Sequence, residues 1–245
     1  MAAPGIMPQL HDWCGIDDAD DLRDISYRNV MEKTRKFTRD LPEVRRRQLI
    51  EATLQCLAEF GHAGTSVRAV CARAGVSPGL VTHHFEGIDD LIAAAYAHVG
   101  DLVATTLDTA MTDAGSDPLA RLRAFIDASF RQPVLDSDLL AVWLAFWGLV
   151  RRDPEIHKIH AAIYGDYRRT LEALVAEITK ARGLDLNIRL SVLGFTAMMD
   201  GLWLELCLDP TSFSPDEALR IAHGWIDALI DGRLSHLNRA ANQAQ

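Results

Sequence analysis

Residues 65–85 read T-S-V-R-A-V-C-A-R-A-G-V-S-P-G-L-V-T-H-H-F, and this stretch decides the fold. Thr65 or Ser66 offers a hydroxyl helix start, and Val67, Val70 and Cys71 follow at helical spacing for an inward face. Gly75 supplies a stop, because glycine enters the left-handed conformation without steric cost. Ser77 then caps a second helix, and Pro78 sits at its first position, where a missing N–H is harmless. Helix, glycine turn and capped helix form the helix-turn-helix pattern, whose second helix enters the major groove of DNA. Two such short helices cannot bury a core, so flanking segments must hold them.

The flanking segments also read as helices. Pro42 opens one that runs to Phe60, with Val44, Leu49, Ile50, Thr53, Leu54, Leu57 and Phe60 inward and Gly61 ending it. After Phe85 and Gly87 a long helix covers about residues 89–112, with Leu91, Ile92, Ala95, Val99, Leu102, Val103 and Leu107 inward. Asp117-Pro118 starts the next, which Pro133 stops after Phe130. Residues 136–152 are strongly apolar; Asp153-Pro154 starts a helix ending near Gly183; 187–208 is another, closed by Pro210. Ser214-Pro215 starts the last, which runs to Ile230 with Gly232 behind it. No segment alternates as a strand does and no internal repeat is present, so the fold class is all-α. The expected layout is an extension over 1–41, a helix-turn-helix head over 42–103 (motif about 66–85), a helical domain over 104–232 and a tail over 233–245. Within the extension, 20–37 reads as a short helix, and Lys33, Arg35, Lys36 and Arg39 read either as an arm for DNA or as a solvated tail.

Charge distribution supports a DNA-binding head. The net charge is −9, but residues 1–30 carry −4, 31–90 carry +1 and 91–245 carry −6, so the motif lies in the one segment that is not acidic. Cys14, Cys56, Cys71 and Cys207 lack paired spacing and read as reduced thiols. The N-terminus lacks a basic region followed by an apolar run, and the longest apolar run, 139–150, is shorter than a bilayer requires. A soluble cytoplasmic protein without a membrane is expected.

On the second helix of the motif, Ser77, Pro78, Gly79, Thr82 and His83 fall toward the exposed N-terminal side. Gly79 permits close backbone approach, Thr82 suits a thymine methyl or a phosphate, and His83 suits a base edge or a phosphate. Arg45, Arg46, Arg47, Thr65, Ser66 and Arg68 are candidates to clamp the DNA backbone. A metal pair at His83 and His84 is disfavoured, because adjacent helix positions point apart. Trp143, Phe146 and Trp147 share one helix face, and Asp200 and Trp203 share another. Aromatic walls with a carboxylate suit a quaternary ammonium through cation–π contacts; the same aromatics also read as core or dimer packing. Phe195, Met199 and Glu205 are lesser candidates for that space. His157 and His160 share a face without a third metal ligand, and no catalytic motif or cofactor fingerprint is present, so no enzyme is expected.

Over about residues 43–232 the chain resembles the tetracycline-repressor (TetR) family of bacterial regulators. R-R-R-Q-L-I-E-A-T-L at 45–54, A-G-V-S-P-G at 74–79 with His83 and Phe85, W-L-A-F-W at 143–147 and D-G-L-W-L at 200–204 resemble its choline-responsive branch, which controls betaine synthesis. The resemblance implies a three-helix head and a C-terminal domain that binds ligand and dimerises. It implies a homodimer on a palindromic double-stranded DNA operator, released by a small-molecule effector such as choline or another cation. It also makes His84 a phosphate contact and places the helices from Asn187 and Ser214 in a dimer bundle, with Gly194, Gly201 and Gly224 permitting close approach. Two positions depart from the family pattern: Thr82 stands where many members have tyrosine, and Ile88 where many have lysine. The other readings are a repressor of an efflux or catabolic operon with a different ligand, and a helical carrier or enzyme with a vestigial head.

Overall fold

The computed structural model describes residues 42–234. The extension 1–41, with its arm and Cys14, and tail positions 235–245 lie outside the described residues. The described elements, all helical, are α1 (Pro42–Gly64), α2 (Val67–Ala74), α3 (Pro78–His84), α4 (Ile88–Asp113), α5 (Pro118–Ser129), α6 (Ser137–Leu149), α7 (Pro154–Arg182), α8 (Ile188–Leu208) and α9 (Pro215–Ile230).

Local chemistry accounts for the boundaries. Gly61 breaks the last turn of α1 with φ 63° and ψ −175°. Gly75 closes α2 in the left-handed region, at φ 65° and ψ 33°, while its N–H donates to the Cys71 carbonyl. Ser66 is the N-cap of α2, its hydroxyl accepting from the Ala69 N–H. Ser77 has a capping backbone conformation, but its hydroxyl makes no cap bond, and Pro78 provides the start. Asp117, Asp136, Asp153 and Asn187 each cap the helix that follows, and Ser214 with Glu217 forms a reciprocal capping box.

Burial holds the short motif helices in place. Val70 and Cys71 of α2, Val81 of α3 and Phe85 behind it are buried against Leu49, Leu57, Leu91 and Ile92. Fully burying one such aliphatic side chain stabilises by about 1.5–3 kcal/mol, which outweighs the marginal stability of helices this short. The same core continues from Tyr96 and Val99 of α4 into Val142, Trp143 and Phe146 of α6 and Ile156 of α7. Tyr96 and Phe146 stack at 4.2 Å. A second core gathers Phe125 and Ile126 of α5, Leu171 and Leu174 of α7, Phe195 of α8 and Ile226 of α9. Between α5 and α9, Arg123 pairs with Asp227 at 2.6 Å and His223 meets Asp127 at 2.8 Å.

Helix α4 belongs to both cores, through Leu91 to Val99 at one end and Leu107 and Met111 at the other. The boundary expected at 103/104 therefore falls inside a continuous helix. At Gly100, α4 comes so close to α7 that an added Cβ would stand 2.5 Å from Ile163 Cδ1. By length and composition alone α8 is long and apolar enough to cross a membrane, at mean hydropathy 1.3; in the fold it packs against α7 and α9.

Candidate functional site

Helix α3 presents the first candidate surface. Ser77, Pro78, Gly79, Thr82 and His83 are exposed together, while Val81 and Phe85 point into the head core. Spacing alone produces this split, since 78 and 79 share a face with 82 and 83. Thr82 donates its hydroxyl to the Gly79 carbonyl at 3.1 Å. Arg46 crosses from α1 and lies 5.1 Å over the Phe85 ring, beside the two histidines. Burial, then His83, then Arg46, lowers the His84 pKa from the ordinary imidazole value, against an opposing pull from Glu43. The rings of His83 and His84, expected to diverge, meet edge to face at 4.9 Å. The helix ends at His84, and the chain turns extended at Phe85.

The remaining candidates of the head separate into two groups. Arg46, Arg47, Ser66 and Arg68 are exposed, and Arg45 is half-buried with a hydrogen bond to Gln48 at 3.0 Å. Thr65, read as a backbone clamp, is buried, and its hydroxyl donates to the Gly61 carbonyl at 2.8 Å. That bond secures the break after α1 and leaves Ser66 as the outward-facing hydroxyl. Arg73 is occupied by an ion pair with Glu59 and by the Phe60 ring.

The second candidate site is a cavity where the two cores meet, with about 650 Å³ of empty space including its mouth. Trp143 and Trp147 from α6 and Asp200 and Trp203 from α8 all border it. Trp143 is 6.5 Å, centroid to centroid, from both Trp147 and Trp203. Tyr164 and Tyr167 from α7 and Phe130 behind α5 complete the aromatic wall, with Met199 at its edge. Phe146 is not part of it: fully buried against Tyr96, it belongs to the head core. Phe195 packs on Trp225 at 5.6 Å and Glu205 is exposed, so neither joins the lining. Position decides this on α6, since Phe146 and Trp147 are about 100° apart around the helix axis.

Asp200 is the one acidic group in that lining. Burial raises its carboxyl to about 6, partly offset by a hydrogen bond from Tyr164 and by Arg168. The Tyr164 hydroxyl donates to Oδ1 over a long 3.5 Å. No ion pair within 4.0 Å reaches this carboxylate among the described residues. Burial likewise raises the Tyr164 and Tyr167 phenols above their ordinary range, which keeps both neutral donors. The indole N–H of Trp203 is buried without a partner among the described residues, a debt of about 1–3 kcal/mol.

A polar path leads from this cavity to the head. Tyr164, bonded to Asp200, has its ring 4.4 Å from that of His160. His160 Nδ1 meets the Tyr96 hydroxyl at 2.8 Å, and Tyr96 is fully buried on α4. Tyr164 and Tyr167 were absent from the sequence candidates, although His160, Tyr164 and Tyr167 follow the i, i+4, i+7 spacing of one helix face.

Residues 49–95 match the family model for bacterial regulatory proteins of the tetR family, and residues 118–231 match the model for the BetI-type transcriptional repressor C-terminal domain. The HTH-type transcriptional regulator BetI of Burkholderia thailandensis is 37% identical over 194 residues, covering 78% of this chain and 96% of that protein. BetI of Burkholderia cenocepacia strain HI2424 is 36% identical over 189 residues, covering 77% and 95%. The crystal structure of a transcriptional regulator from Pseudomonas aeruginosa PAO1 is similar with a TM-score of 0.77 and 41% identity, over 82% of this chain and 98% of that one. A regulator from Saccharomonospora viridis, crystallised in complex with choline, shares the fold at a TM-score of 0.68 and 19% identity, over 76% and 96%.

Proposed function

The chain belongs to the TetR family of bacterial regulatory proteins, and from that membership we propose that a quaternary ammonium seated in the aromatic cavity releases its head from operator DNA. The protein is a ligand-responsive DNA-binding transcriptional repressor of the BetI type. One observation carries the effector reading: three tryptophans and two tyrosines line a cavity with a half-buried carboxylate that lacks an ion-pair partner among the described residues. Each desolvated cation–π contact is worth up to about 2 kcal/mol, and a cation beside Asp200 supplies the charge its burial lacks. The choline bound by the Saccharomonospora regulator supports choline as the first compound to try.

Exposed Leu193, Ala197, Gly201 and Leu208 on α8, with Ile221 and Gly224 on α9, form an apolar stripe of small and aliphatic side chains. Such a stripe suits a second copy of the chain, and a two-fold dimer places two α3 helices on a palindrome. Half-sites then lie about 34–36 Å apart or at a multiple of that spacing. The dimer acts in the cytoplasm, where its operator is. Coupling runs from Asp200 and Tyr164 through His160 and Tyr96 to α4, and a few kcal/mol of it suffices for release.

Calorimetry tests the cavity. Choline is expected to bind the parent protein, and Trp203→Ala to weaken it by at least about tenfold. Unchanged affinity in both Trp203→Ala and Trp147→Ala sinks the assignment. At the head, His83→Ala is expected to cost about 1–3 kcal/mol on the operator and little on unrelated DNA. Arg47→Ala is expected to weaken both and lower the salt slope by about one. Gel shifts across a salt series separate the two effects.

A further inference from the structure

A second depression, with about 550 Å³ of empty space including open solvent, adjoins the aromatic cavity and shares Trp147, Tyr164 and Asp200 with it. Its other walls are Val150, Arg151 and His160. Arg151 stands at the end of α6, exposed, and no ion pair engages it among the described residues. His157 and Arg168 of α7 both act electrostatically on His160, and Arg168 acts on Asp200 as well. In a chain of net charge −9, this mouth is thus lined and neighboured by basic groups, with Asp200 as its single acid.

A simple monocation gains nothing from that rim, since Arg151 repels it. A ligand with a cationic head and an anionic tail uses both compartments. We propose that the effector is a zwitterion, with its trimethylammonium among Trp143, Trp147 and Trp203 beside Asp200 and its carboxylate held by Arg151 and His160 in the outer depression. The proposal rests on the reading that a cation enters the aromatic cavity. Guanidinium suits a carboxylate because its planar donors match the two oxygens. His160 is placed to assist: where Nδ1 accepts from the Tyr96 hydroxyl, the neutral ring carries its proton on Nε2, leaving a donor free. Burial lowers the His160 pKa, in keeping with that neutral form. The carboxylate would then touch His160, whose Nδ1 meets the Tyr96 hydroxyl of α4 at 2.8 Å.

The full-length protein is titrated calorimetrically with choline, glycine betaine and trimethylammoniobutyrate. At least one of the two zwitterions is expected to bind more tightly than choline, by about fivefold or more. Arg151→Gln is expected to cut the ratio of zwitterion to choline affinity by about fivefold, and Arg151→Lys to restore part of it. Choline binding at least as tight as both zwitterions, or an affinity ratio unmoved by Arg151→Gln, overturns the proposal. If choline binding still depends on Trp203 in that case, the aromatic cavity stands and only the zwitterion assignment falls. If none of the three compounds binds, both fall.

Discussion

Replacing Asp200 by Asn is expected to give a repressor that is more stable than the parent and that the proposed cationic effector releases only at a much higher concentration. Burial lifts the Asp200 carboxyl from 3.8 to about 6, so the folded state holds its proton more tightly than the unfolded chain does. A raised acid of this kind favours folding at low pH and opposes it as pH rises through that interval. At pH 7.5 the ionised carboxylate is a net burden, and the neutral amide removes it. Allowing for the altered Tyr164 hydrogen bond, Asp200→Asn is expected to stabilise by about 1–2 kcal/mol at pH 7.5 and by little at pH 4. The same change deletes the charge that faces the cation, and effector affinity falls about ten- to a hundredfold. In the parent, cation affinity declines as pH drops below about 6, where Asp200 protonates; in Asp200→Asn that decline is absent. Thermal denaturation at the two pH values and calorimetry over the same range check all three outcomes. Equal stability of parent and variant at pH 7.5, with intact effector binding, contradicts the role given to this carboxylate.

The other large effect is expected at the α8–α9 face. Leu193 and Ile221 are each nearly half exposed, at 49% and 48%, so glutamate is tolerated at both in the isolated chain. Across a two-fold interface the double substitution Leu193→Glu with Ile221→Glu buries like charges without partners, at several kcal/mol. Sedimentation is expected to show a monomer with the parent's helical circular dichroism. Operator affinity drops about a hundredfold or more, because two heads no longer share one effective concentration on the palindrome. A variant that stays dimeric at micromolar concentration shows that the partner sits elsewhere.

The head was legible because its signals are local. Gly75, Ser77 and Pro78 mark a turn through backbone chemistry that no distant contact can override, and the exposed and buried sides of α3 follow from spacing alone. The Asp-Pro and Ser-Pro starts of α5, α7 and α9 were readable for the same reason. The cavity was legible only in part. Trp143, Trp147, Asp200 and Trp203 stand out because aromatics and a carboxylate are rare in such apolar helices. Helix α6 is apolar around most of its circumference, so periodicity cannot say that Phe146 faces the head core while Trp147 faces the cavity. Tyr164 and Tyr167 share a face of α7, but that helix alone does not say what the face meets, and Phe130 enters the wall through packing between helices far apart in sequence. Thr65 illustrates the reverse error: a hydroxyl at a helix start suits a phosphate, yet the break at Gly61 leaves a carbonyl that claims it first.

The central claim is that positive charge in the aromatic cavity, and not mere occupancy, releases the head from DNA. Fluorescence anisotropy of a labelled operator bound by the full-length dimer tests it, with choline titrated against its uncharged tert-butyl isostere. The two compounds share shape and differ in charge, so the aromatic walls and Asp200 are expected to distinguish them. Choline is expected to release the operator at a concentration at least about tenfold below that of the isostere. Equal release by both, or release by neither while the operator stays bound, contradicts the account.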